Sequence, residues 1–95
     1  MENTKLENIT YLPDGRFRID YTAFGVTQAF LTPVPFPLGR FLDNPVDTSR
    51  LYARTLYGMF LMHVLENTGE TYQEPGAVTL FEEWAYKAMD RALAC

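Results

Sequence analysis

The chain has 95 residues, a net charge of −4 at neutral pH, and 47% apolar and 15% aromatic residues. That length allows one domain, residues 1–95, and the aromatic share is too high for a disordered chain. A general nucleic-acid binder needs a dense basic face to displace counterions, so the acidic balance predicts no direct nucleic-acid binding.

The single cysteine, Cys95, allows no internal disulfide. It reads as an inert terminal thiol, the alternative being an intermolecular disulfide or a reactive thiol. No basic-then-apolar leader opens the chain. The strongest apolar run, Leu56–Leu65, has about half the length a membrane span needs, and Gly58 and His63 interrupt it. A cytoplasmic protein with no membrane association is expected.

The first elements are strands. From Arg16 to Ala23 polar and apolar residues alternate, with Phe17, Ile19, Tyr21 and Ala23 on one face and Arg16, Arg18, Asp20 and Thr22 on the other. Such alternation marks an antiparallel sheet packed on one side only. Pro13-Asp14-Gly15 has the chemistry of a tight turn and sets Leu12 across from Arg16. Tyr11 then pairs with Phe17 and Ile9 with Ile19. A third strand, Val26–Leu31, follows a turn at Phe24-Gly25. Pairing Ala23 with Val26 puts Phe30 on the Ile19 face and is preferred over pairing Thr22 with Val26.

Four of the six prolines lie in 32–46, namely Pro33, Pro35, Pro37 and Pro45. Alternating prolines favour an extended crossover, here with Phe36, Leu38, Phe41 and Leu42 tucked against the core. Asp47 is placed to cap a helix that runs to about Asn67 and stops at Gly69. Its middle is apolar almost all round, as suits a central helix, and Gly58 would permit one close backbone approach. After a polar loop with a Pro75-Gly76 turn, Thr79 and Glu82 have capping-box spacing. Leu80, Phe81, Trp84, Ala85, Ala88, Met89, Ala92 and Leu93 then form one helical face. The expected fold is α+β, a β-β-β-α-α chain with strands in about 5–31 and helices near 48–67 and 80–94, both packed on one face of a three-stranded antiparallel sheet.

No complete catalytic, metal or nucleotide motif is present. His63 and Glu66 have a spacing that lets two side chains share a metal, but the chain has no second histidine to complete a set. His63 therefore reads as a structural histidine. Ser49, the only serine, lies about 21 Å from His63 along a continuous helix, too far for nucleophilic catalysis. No enzyme activity, metal or cofactor is expected.

Charge is distributed unevenly. Five acids and no base lie between Glu66 and Glu83. Glu70, Tyr72 and Glu74 form an acidic loop with an aromatic among them, a candidate edge for a basic protein partner. The other candidate partner residues are Arg16 and Arg18 on the polar sheet face, and Phe24 in the turn. The function expected is a small non-catalytic interaction module that covers a partner's surface, or that of its own copy. It would be an inhibitor or adaptor of the kind mobile elements encode. The alternative is a small-ligand or nucleotide-binding domain using Arg50 and Arg54, with Tyr52 or Tyr57, around a cleft beside the proline crossover.

Over residues 36–75 the order Phe36-Pro37, Asp47-Thr48, Gly69-Glu70 and Glu74-Pro75 is similar to the order of signals in HicB-type antitoxins. An added strand before Phe36-Pro37, and Ser49-Arg50 at the helix start, depart from that family's pattern. No family residue is assigned on this similarity.

Overall fold

The Pro13-Asp14-Gly15 turn sets the register of the sheet. Gly15 takes a left-handed backbone, and its N–H donates to the Leu12 carbonyl at 2.9 Å. The Leu12 N–H donates to Arg16 at 2.8 Å. In the computed structural model, which describes residues 4–72 and 74–94, β1 is Thr4–Tyr11, β2 Phe17–Ala23 and β3 Val26–Leu31. They form one antiparallel sheet in the order β1-β2-β3. Tyr11 pairs with Phe17, Ile9 with Ile19, and Ala23 with Val26, as the turn chemistry and the apolar pattern require.

One departure from simple alternation lies in β1. Leu6 and Ile9 are both buried though three residues apart, which a period of two forbids. A bulge between Leu6 and Asn8 inserts Glu7 and brings both apolar residues to one face.

The prolines do not keep the whole crossover extended. Residues Leu38–Asp43 form a short helix, α1, in the segment expected to be irregular. Asn44 closes α1 by donating its N–H to the Arg40 carbonyl and also opens the next helix. That helix, α2, is Pro45–Thr68. Its cap is Asn44, whose side chain accepts from the Asp47 N–H at 3.5 Å, so Asp47 lies in the first turn rather than at the cap. Pro45 suits the first helical position because its missing N–H is not needed there. The helix ends at Gly69 in the left-handed conformation, as expected. The last helix, α3, is Ala77–Ala94. It starts directly from the Pro75-Gly76 turn, two residues before the expected cap, and Thr79 lies inside it.

Both long helices pack on the same face of the sheet. α3 lies against β1 and α2, while α2 reaches β2 through Phe60 and Tyr21. Phe17, Ile19, Tyr21 and Ala23 are buried beneath them, and Arg18, Asp20 and Thr22 point the other way. The core is largely aromatic. Edge-to-face contacts run from Tyr11 to Phe17, Phe36 and Tyr52, and a second set joins Tyr21, Phe60 and Tyr72. Thr32, fully buried, ends β3. Its Oγ1 accepts from the Phe17 N–H at 3.0 Å and donates to the Val34 carbonyl at 3.1 Å.

The expected close approach at Gly58 does not occur within the chain. A Cβ built there meets open space. No described helix is long and apolar enough to cross a membrane. Cys95 lies outside the described residues, and so do both readings of its thiol.

Candidate protein-interaction surface

A sheet covered on one side has one bare face and two edges. The edges of this sheet differ. β1 carries the bulge and the charges of Lys5 and Glu7, devices that discourage another strand from pairing. β3 is the run VTQAFL, regular, without proline and without charge. Its ladder to β2 leaves every second residue unpaired. The Thr32 N–H donates to the Phe17 carbonyl, so bonded pairs fall at Ile19 and Phe30, Tyr21 and Gln28, and Ala23 and Val26. The backbone groups of Thr27, Ala29 and Leu31 point away from β2.

At the tip joining β2 to β3, Phe24 and Gly25 have φ of 51° and 78°. Positive φ at both central residues is the type I′ hairpin turn, which favours Asn-Gly. A bulky aromatic in the left-handed region carries a steric cost of about 1–2 kcal/mol. Phe24 bears that cost while 52% exposed, and Val26 beside it is 58% exposed.

The sequence-predicted residues do not form one site. Tyr72 is 3% exposed, its ring edge-on to Phe60 at 5.3 Å. It belongs to the core and is not the exposed anchor of an acidic loop, because the buried ring of Phe60 offers it a better apolar seat than water does. Glu70 is exposed and Glu74 half-buried on either side of it. Arg16 and Arg18 are already paired, with Asp14 at 2.8 Å and Asp20 at 3.0 Å. The Arg16 backbone N–H, then its guanidinium, holds the Asp14 carboxyl below its ordinary range.

Nor does the structure assemble the ligand cleft. Tyr52 is buried and its hydroxyl donates to the Pro37 carbonyl at 2.7 Å. Tyr57 packs edge-on against Phe81. Arg50 and Arg54 are exposed and make no ion pair among the described residues. Arg50 lines a shallow groove with Lys87, Glu82 and Glu83, where two acids balance the two bases.

His63 is held by its neighbours. Its ring stacks on Phe30 at 4.5 Å, and Nε2 lies 2.7 Å from the Tyr21 hydroxyl. The Tyr21 hydroxyl donates to Gln28 Oε1 at 3.2 Å, and Asn67 Nδ2 lies 3.1 Å from His63 Nδ1. A neutral ring satisfies every partner. Nε2–H donates to Tyr21, and the Nδ1 lone pair accepts from Asn67. Burial lowers the His63 pKa, and Glu66 opposes that in part. Among the described residues no three His, Cys, Asp or Glu side chains converge.

A third feature has no counterpart in the expected site. Leu51, Thr55, Gly58, Met62 and Leu65 form an exposed stripe along α2. The sequence carries its signal, a regular spacing of four and three residues, hidden because apolar residues surround the helix on all sides.

Comparison with known proteins returns no matching family, curated sequence or solved structure. The similarity to HicB-type antitoxins is accordingly taken no further.

Proposed function

We propose that this protein is a small non-catalytic interaction module of inhibitor or adaptor type, which acts by covering a surface of another protein. The observation that carries the reading is Phe24, an exposed aromatic kept in a backbone conformation that Asn or Gly would adopt with less strain. It stands at the tip of the hairpin joining β2 to β3, two residues before the exposed Val26. Aromatic anchors of this kind dominate the binding energy of many interfaces. Glu66, Glu70 and Glu74 add an acidic end to the molecule, which favours a basic partner surface and speeds encounter with it. The lone cysteine, in place of a disulfide framework, supports action in the cytoplasm.

The test is capture of partners by the immobilised full chain, read by mass spectrometry, with Phe24→Asn as comparison. Asn suits the turn, so the variant folds at least as well. A partner retained by the wild type and lost by the variant is the expected result. An unchanged set of retained proteins would remove Phe24 as the anchor.

A further inference from the structure

We infer that the β3 edge and the outer side of α2 form one interface, and that its occupant is a second copy of this chain. The inference deepens the reading above, because it names one partner of the module.

The two features lie on the same flank. Tyr57 faces α3 through Phe81. Thr55, Met59 and Met62 lie about 140–160° around the helix from Tyr57. That direction leads away from α3, past His63 and Phe30, and over the open side of β3. Met62 is 58% exposed, and Leu51, about three turns earlier on the same side of the helix, is exposed as well.

A two-fold axis through Ala29 satisfies both features at once. Another strand supplies in one regular ladder the donors and acceptors that match those of Thr27, Ala29 and Leu31. Antiparallel pairing of β3 with itself sets Ala29 against Ala29, the smallest side chain of the strand at the axis. Thr27 then faces Leu31 of the second copy, covering a leucine that is otherwise exposed. The strand holds no charge, so pairing it with itself opposes no like charges. The joined sheet has six strands, with the helices of both copies on one face.

The same axis lays α2 antiparallel to α2 of the second copy. Charge along that helix is suited to this direction. Arg54 lies in its first half, beside Gly58 on the exposed side, and Glu66 near its end, whereas Arg50 faces α3. Antiparallel packing sets Arg54 of one copy toward Glu66 of the other, whereas parallel packing opposes like with like.

The experiment is sedimentation equilibrium of the full-length protein from about 1 to 300 µM, with Ala29→Pro and Met62→Glu as variants. The Ala29 N–H points out of the sheet, so proline there removes no bond within the chain. Met62→Glu changes an exposed helix position and serves if the proline disturbs the fold, which circular dichroism reports. The expected result is a dimer for the wild type and a monomer for each folded variant. A wild type that stays monomeric throughout, or a dimer unaffected by Met62→Glu, would overturn the proposal. Capture assays separate this from the broader reading. A monomer that still retains a partner through Phe24 refutes the dimer alone, and a dimer that retains nothing refutes the Phe24 reading alone.

Discussion

Thr32→Val replaces one hydroxyl by a methyl of nearly the same size at a fully buried position. The substitution keeps the backbone bond from the Thr32 N–H to the Phe17 carbonyl at 3.0 Å. It removes the acceptor of the Phe17 N–H, also at 3.0 Å, in a place where Phe17 itself is fully buried and water has no access. The Val34 carbonyl loses a donor as well, but Val34 is exposed and water replaces it. One orphaned buried donor costs about 1–3 kcal/mol. Against a total stability on the order of 5–10 kcal/mol, that is a large share. At about 4–8 °C per kcal/mol for a domain of this size, Tm falls by roughly 5–20 °C. Thr32→Ser is the control. It keeps the hydroxyl and loses one methyl group, worth about 1 kcal/mol. Thermal unfolding followed by circular dichroism ranks the three proteins. If Thr32→Val melts within about 2 °C of the wild type, or no lower than Thr32→Ser, the hydroxyl is not what closes the end of β3.

Other expectations concern the turn, the helix and the histidine. Phe24→Asn relieves the left-handed strain and stabilises the fold by about 1 kcal/mol, measured by urea unfolding. Gly58→Ala meets open space in a helix and stabilises by up to about 1 kcal/mol, seen as a higher Tm. Tyr72→Ala empties a core site beside Phe60 and costs about 3–5 kcal/mol, so this variant loses stability rather than an exposed binding contact. His63 has a folded pKa below its ordinary value of 6.5, so below that pH the unfolded chain binds the extra proton first. Stability therefore falls as pH drops below about 6.5 and levels off beneath the folded pKa. His63→Gln removes that part of the slope in a pH series of urea midpoints.

Much of the sheet was legible in the residues. Pro13-Asp14-Gly15 and the alternation through β2 determine one register, and Phe30 resolved the choice for β3 through its size. The bulge in β1 left its sign in the three-residue spacing of Leu6 and Ile9. What the residues hid was whatever tertiary contact decides. The capping side chains of Asp47 and Thr79 looked sufficient, yet Asn44 serves α1 and α2 together, and Gly76 opens α3 two residues early. Local chemistry cannot show that a neighbouring helix will share a cap. Tyr72 misled for a similar reason. Surrounded by Glu70 and Glu74 it reads as a surface residue, and only its packing against Phe60 of α2 reveals the seat it takes. The proposed interface was least legible because it is an edge and a stripe. Neither has a motif, and both exist only once the helices have chosen one face.

Amide hydrogen exchange, resolved by residue along β3 at low and high protein concentration, tests the open flank most directly. Gln28 and Phe30 bond to β2 and should exchange slowly at both concentrations. Thr27, Ala29 and Leu31 should exchange fast when dilute and slowly when concentrated. Fast exchange of these three at every concentration, with Gln28 and Phe30 protected throughout, would contradict pairing of β3 with a second copy.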